Sequence, residues 1–129
     1  MAEDQVTGWK LPPGEKDRLL ELVPPLFANL VADHVTLRTR TGADTPLPTE
    51  TCAEVIGEVD DGEGVQALIV EIGGGTARED GGTYHITWSL APGRRAKESN
   101  DVIKRLGWRP LSTPAAIALQ PGRWPRRGR

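Results

Sequence analysis

Apolar positions along the chain change their spacing several times, and each change marks an element. Leu19, Leu22 and Val23 fall on one face of a helical period. This predicts a short helix over residues 15–23, opened by Pro12-Pro13-Gly14 and ended by Pro24-Pro25. From Val31 to Arg40 the period drops to two. His34, Thr36 and Arg38 alternate with Val35, Leu37 and Thr39, the pattern of a strand. Two further strands are expected over residues 53–60 and 65–72. Asp61-Gly62-Glu63-Gly64 between them is turn chemistry, so the pair reads as a hairpin. Residues 83–90 alternate again, with His85, Thr87 and Ser89 on one side and Tyr84, Ile86, Trp88 and Leu90 on the other. A second helix is expected near Ser99–Leu106 with Ser99 as its N-cap. Residues 115–119 suggest a last short strand. Stretches 41–52 and 73–82 are rich in Gly, Thr and Pro and read as loops.

Strands with few short helices make the expected class α+β. A length of 129 residues suits one domain, taken here as residues 1–121, with 122–129 as a flexible basic tail. Eleven prolines and fifteen glycines point to short elements and much loop. No apolar run is long enough to cross a bilayer, and the acidic N-terminus is unlike a secretory or transit signal. Cys52 is the only cysteine, so neither a disulfide framework nor a multi-cysteine metal site is available. These features lead to the expectation of a cytoplasmic monomer that does not associate with membranes.

The net charge of −2 hides a strong asymmetry. Residues 1–89 hold 6 basic and 16 acidic side chains, whereas 90–129 hold 10 basic and 2 acidic. Such a split often accompanies an anionic partner. Arg94, Arg95 and Lys97 lie inside the folded part, just after the strand that carries His85. They are the expected contacts for a nucleic-acid backbone.

Both histidines open the same short pattern, His34-Val35-Thr36-Leu37 and His85-Ile86-Thr87-Trp88. In each, histidine and threonine share one strand face about 7 Å apart. If the two strands are close in the sheet, two imidazoles and two hydroxyls converge. That set suits in-line displacement at phosphorus. One imidazole takes a proton from the entering oxygen, the other gives one to the leaving oxygen, and the hydroxyls donate to the non-bridging oxygens. Neither a metal nor a cofactor is required. A site with His34, His85 and Asp33 as metal ligands is disfavoured, because Asp33 would point to the face opposite its strand neighbour His34. Arg38 shares the His34 face and is a further candidate for phosphate contact. Trp88 and Tyr84 point away from His85 and are expected in the core. Trp9, Trp108 and Trp124 could stack on bases, but in a chain with one Phe and one Tyr their expected use is packing.

At these tetrads the chain resembles the two-histidine (2H) phosphoesterase superfamily. The closer similarity is to the branch with the cyclic phosphodiesterase domain of fungal-type transfer RNA ligases and small RNA-repair-like proteins. Pro24-Pro25, Ala32-Asp33-His34-Val35-Thr36-Leu37, Gly57-Glu58-Val59-Asp60, Gly64-Val65-Gln66-Ala67-Leu68, Tyr84-His85-Ile86-Thr87-Trp88 and Ser99-Asn100 carry it, across residues 20–105. The resemblance implies a bilobal α+β fold with a concave antiparallel sheet and the site between the lobes. It also implies opening of a 2′,3′-cyclic phosphate, on RNA or a nucleotide, to a 2′-phosphate. His34 would protonate the departing 3′-oxygen, His85 would activate water, and Thr36 and Thr87 would hold the phosphate. Relatives often carry a second histidine where Asp33 stands, a departure that bears on substrate choice. Alternatives are cleavage of a small cyclic nucleotide signal, and a non-catalytic module that binds RNA or nucleotides.

Overall fold

The computed structural model describes residues 5–125 and is an α+β arrangement: one antiparallel sheet with a helix on each face. The strands are β1 (Gln5–Lys10), β2 (Asn29–Leu30), β3 (His34–Thr41), β4 (Cys52–Asp60), β5 (Val65–Glu71), β6 (His85–Leu90), β7 (Arg109–Ala118) and β8 (Gln120–Pro125). The helices are α1 (Pro13–Leu22) and α2 (Glu98–Leu106). The sheet runs β7-β4-β5-β6-β3-β1-β8, with β2 paired to β6. No described helix is long and apolar enough to cross a membrane.

Strand β5 explains the layering. Its sequence Val65-Gln66-Ala67-Leu68-Ile69-Val70 is buried throughout, as expected for a central strand covered on both faces. Leu68 and Val70 join Ile86, Trp88, Val35 and Trp9 beneath α1, which contributes Leu19. Ala67 and Ile69 pack on the other side against Val102 and Ile103 of α2. Trp88 is fully buried, as its alternation predicts, and its indole N–H donates to the Val23 carbonyl at 2.8 Å. Leu22, expected on the apolar face of α1, is instead 60% exposed; Leu19 and Val23 carry the packing.

The sequence pattern fell short towards the two ends of the sheet. The boundary expected after residue 121 does not hold: Gln120–Pro125 forms β8 and pairs with all of β1. The rest of the expected tail, Arg126–Arg129, lies outside the described residues. Strand β1 was not anticipated at all, and β7 is longer than the predicted 115–119. Prolines explain the difficulty. Pro110, Pro114, Pro121 and Pro125 all sit in β7 or β8, the two strands that end the sheet. An edge strand tolerates a residue with no N–H, because one side of its backbone has no partner.

Candidate active site

Helix α2 covers only the β4-β5-β6 half of its sheet face. Beyond its edge lies an open cavity of about 1050 Å³, and His34, Thr36, His85 and Thr87 all line it. Lys97, at the N-cap of α2, and Asn100 within it also line the cavity, as do Lys10 and Trp124. Register brings the tetrads together. Strands β3 and β6 are antiparallel and pair at Val35↔Ile86, which sets His34 beside Thr87 and Thr36 beside His85. The histidines are therefore diagonal neighbours, a relation that typically spaces side chains about 7–8 Å apart.

A local irregularity sets the orientation of His34. Leu30 pairs with Ser89, but Val35 pairs with Ile86, a register offset by two residues. The extra residues bulge between β2 and β3, where Ala32 adopts φ 45°. Asp33 is therefore not on the strand, and the expectation that its side chain turns away from His34 is overturned. Its carboxylate accepts from His34 Nδ1 at 3.1 Å and from Lys10 Nζ at 2.7 Å. The proton thus sits on Nδ1, and Nε2 is the nitrogen left for chemistry. Burial pushes the His34 imidazole below its ordinary value, and the Asp33 carboxylate opposes that only in part. Burial acts upward on Asp33 itself, but hydrogen bonds from Lys10 and His34 outweigh it and hold the carboxyl low.

His85 has a drier setting. It is buried in β6, and its Nδ1–H donates to the Thr83 carbonyl at 2.8 Å. Burial is the main cause of a pKa pushed down to about 4; the nearby Arg78 and His34 charges act in the same direction. At neutral pH His85 is an uncharged imidazole whose Nε2 can accept a proton.

The threonines differ as well. Thr87 Oγ1 lies 2.9 Å from Ser99 Oγ and donates to the Ala96 carbonyl over a long 3.4 Å. Ser99 is thus not the expected N-cap. Lys97 holds that position, and Ser99 is buried inside α2 as a strut to the sheet. Thr36 forms no side-chain hydrogen bond among the described residues.

Of the basic candidates, only Lys97 lines the cavity. Arg38 pairs with Glu79, its Nε donating at 3.1 Å. Arg94 pairs with Asp61 at 2.9 Å and Glu98 at 2.6 Å, and its Nη1 donates to the Glu63 carbonyl. It pins the β4–β5 turn to the start of α2. Arg95 is exposed outside the lining. Trp9 is buried, as expected, and donates to the Glu50 carbonyl. Trp108 packs against Gly57. Trp124 instead enters the site: its ring centre is 5.0 Å from that of His34, and Lys10 Nζ lies 4.5 Å above it. Lys10 and Arg78 were missed. Lys10 faces His34 only because β1 pairs with β3, which nothing in the pattern announced. Arg78 did leave a trace, as the sole basic residue between Arg40 and Arg94, set in a glycine-rich loop.

No three His, Cys, Asp or Glu side chains among the described residues converge as a metal-ligand group. Comparison with models of known families finds no match, and neither curated proteins nor solved structures give one.

Proposed function

We propose that this chain is a phosphodiesterase that opens 2′,3′-cyclic phosphate ends of RNA or nucleotides to 2′-phosphates by two-histidine acid–base catalysis. The observation that carries the reading is the pairing of unlike imidazoles in one cavity: His85, dry and neutral, and His34, backed by a carboxylate. Both have Nδ1–H committed to an acceptor, so both have Nε2 as the reacting nitrogen.

In the reaction, His85 Nε2 takes a proton from water as the water oxygen bonds to phosphorus. The bond from phosphorus to the 3′-oxygen breaks, and protonated His34 gives its Nε2 proton to that oxygen. The product is a 2′-phosphomonoester with a free 3′-hydroxyl. Asp33 favours His34 as the acid, because a neighbouring carboxylate stabilises imidazolium. His85 has no carboxylate partner, and its uncharged state suits it as the base. Each proton transfer contributes about 10²–10⁴-fold. The Thr36 hydroxyl can donate to a non-bridging oxygen without giving up a bond to any of the described residues. On this reading the sheet is the concave platform of a bilobal 2H phosphoesterase, and the domain acts without a metal.

The test is turnover of 2′,3′-cyclic mononucleotides in EDTA by wild type, His34→Ala and His85→Ala. Cleavage by wild type that both variants lose supports the reading. Turnover that either variant retains overturns the assignment of roles. A folded wild type that is inert here, on longer RNA ends and on 3′,5′-cyclic nucleotides, yet binds nucleotide, is a binding module.

A further inference from the structure

The two tetrads are unequal in what they can offer a phosphate. Among the described residues Thr36 is unengaged, whereas the Thr87 hydroxyl already has Ser99 Oγ at 2.9 Å and the Ala96 carbonyl at 3.4 Å. On the His85 side a different donor is built into the loop between β5 and β6. Arg78 lines the same cavity, yet its side chain is only 9% exposed.

The loop is organised around that side chain. Its backbone closes tightly, with Arg78 N–H donating to the Gly82 carbonyl at 2.9 Å and Gly81 N–H to the Arg78 carbonyl at 3.0 Å. Asp80 accepts from Arg78 Nε at 2.9 Å and from Gly82 N–H at 2.9 Å. Arg78 Nη2 donates across to Asn100 Oδ1 of α2 at 3.2 Å. The guanidinium lies against Gly82, where a Cβ would come within 2.6 Å of Nη2. A side chain there would displace the guanidinium, so glycine lets the cation fold back over its own loop. A guanidinium fixed from two directions and facing a cavity is a preorganised anion site.

We propose that Arg78 holds a non-bridging oxygen of the substrate phosphate on the His85 side, a role that rests on the phosphodiesterase reading above. Asp80 and Asn100 are positioning residues that aim the guanidinium. The negative charge of the cyclic phosphate is then met by the Arg78 cation together with the hydroxyl of Thr36, which register sets beside His85. Placing the cation beside His85 also has an electrostatic consequence. Arg78 helps keep His85 uncharged until an anion arrives, and a bound phosphate cancels that influence as the base is needed.

The experiment uses a nucleoside 2′,3′-cyclic phosphate and its two phosphorothioate diastereomers, in which sulfur replaces one or the other non-bridging oxygen. Wild type is expected to prefer one diastereomer. Arg78→Ala lowers kcat/KM on the oxygen substrate about 100-fold, a loss typical of removing one oxyanion donor, and abolishes the preference. Arg78→Lys restores part of the rate without the preference, since an ammonium cannot reproduce the planar fork. Asn100→Ala falls between. A folded Arg78→Ala that keeps the wild-type preference overturns the proposal. If wild type turns over none of these substrates, longer RNA ends and 3′,5′-cyclic nucleotides decide on the phosphodiesterase reading, and binding of a nucleoside 2′-monophosphate decides separately on Arg78. At least tenfold weaker binding by Arg78→Ala sustains the anion clamp, and equal binding overturns it.

Discussion

The His34 half and the His85 half of the site share a sequence pattern and little else. His85 opens β6 in the middle of the sheet, buried, with a neutral carbonyl as its partner. His34 opens a strand after a bulge, half-buried, with a carboxylate and a lysine in its network. The difference teaches that a repeated motif does not imply repeated chemistry. Desolvation acts on both imidazoles, but only His34 is hydrogen-bonded to a carboxylate that opposes it; His85 has a backbone carbonyl and the weaker influence of Asp80. In acid–base catalysis such a pair is more useful than two equal groups, because one must hold a proton while the other lacks one.

The contrast can be broken most severely at the histidines. His34→Ala or His85→Ala is expected to lower kcat by about 10²–10⁴-fold. The double variant should be little worse than either single one, because the two act in one step. Steady-state turnover of a cyclic mononucleotide measures all three.

Next in size is the pH dependence of stability. The folded-state pKa of His85 is about 4, below the free value of about 6.5. The unfolded chain therefore binds the proton more readily. The stabilisation from neutral His85 is complete above the unfolded value and is lost as pH falls towards 4. The loss amounts to about 3 kcal/mol over that window. Urea unfolding at pH 7 and pH 4.5 should show it in wild type and show much less of it in His85→Asn.

A third expectation concerns rate against pH. With His85 as base and His34 as acid, kcat/KM should rise as pH passes about 4 and fall again at a pH below the ordinary imidazole value. Asp33→Asn should move the falling limb lower, because His34 loses the carboxylate that supports its proton, and leave the rising limb in place. Movement of both limbs together would make the halves equivalent. The smallest effect separates the threonines. Thr36→Val should reduce turnover without measurable loss of stability. Ser99→Ala should cost about 1 kcal/mol in chemical unfolding, a buried hydrogen bond being worth roughly that much.

How much of this was legible depended on which half was being read. The β4–β5 hairpin and β6 follow alternation and turn chemistry, and Trp88, Ile86 and His85 lie on the faces their positions predict. The convergence of the four tetrad residues followed from two strands pairing, which the pattern made an explicit condition. Three things were hidden. Gln5–Lys10 has glycine and polar residues in its alternation, and Gln120–Pro125 carries two prolines. Both are strands because of their partners, not their propensity. The bulge that turns Asp33 back towards His34 depends on an alanine at positive φ, which no residue preference signals. Arg78 and Asn100 meet across a loop and a helix, a juxtaposition that only tertiary structure can make.

The pairing of the first strand with the last has a kinetic consequence. Strands β4, β5 and β6 follow one another in sequence and pair with their immediate neighbours, so this part of the sheet can form from contacts local in the chain. The surroundings of His34 depend on β1 meeting both β3 and β8, contacts of long sequence separation whose loop closure slows folding. During synthesis Lys10 emerges early, while Trp124, which packs beside His34, emerges last among the cavity residues named above. The His85 half should therefore mature first, with the His34 half waiting on the C-terminal strand. A nascent chain lacking β8 would hold one proton carrier in its final environment and the other still unassembled, and acquisition of activity should lag behind formation of the β4-β5-β6 core in a refolding experiment.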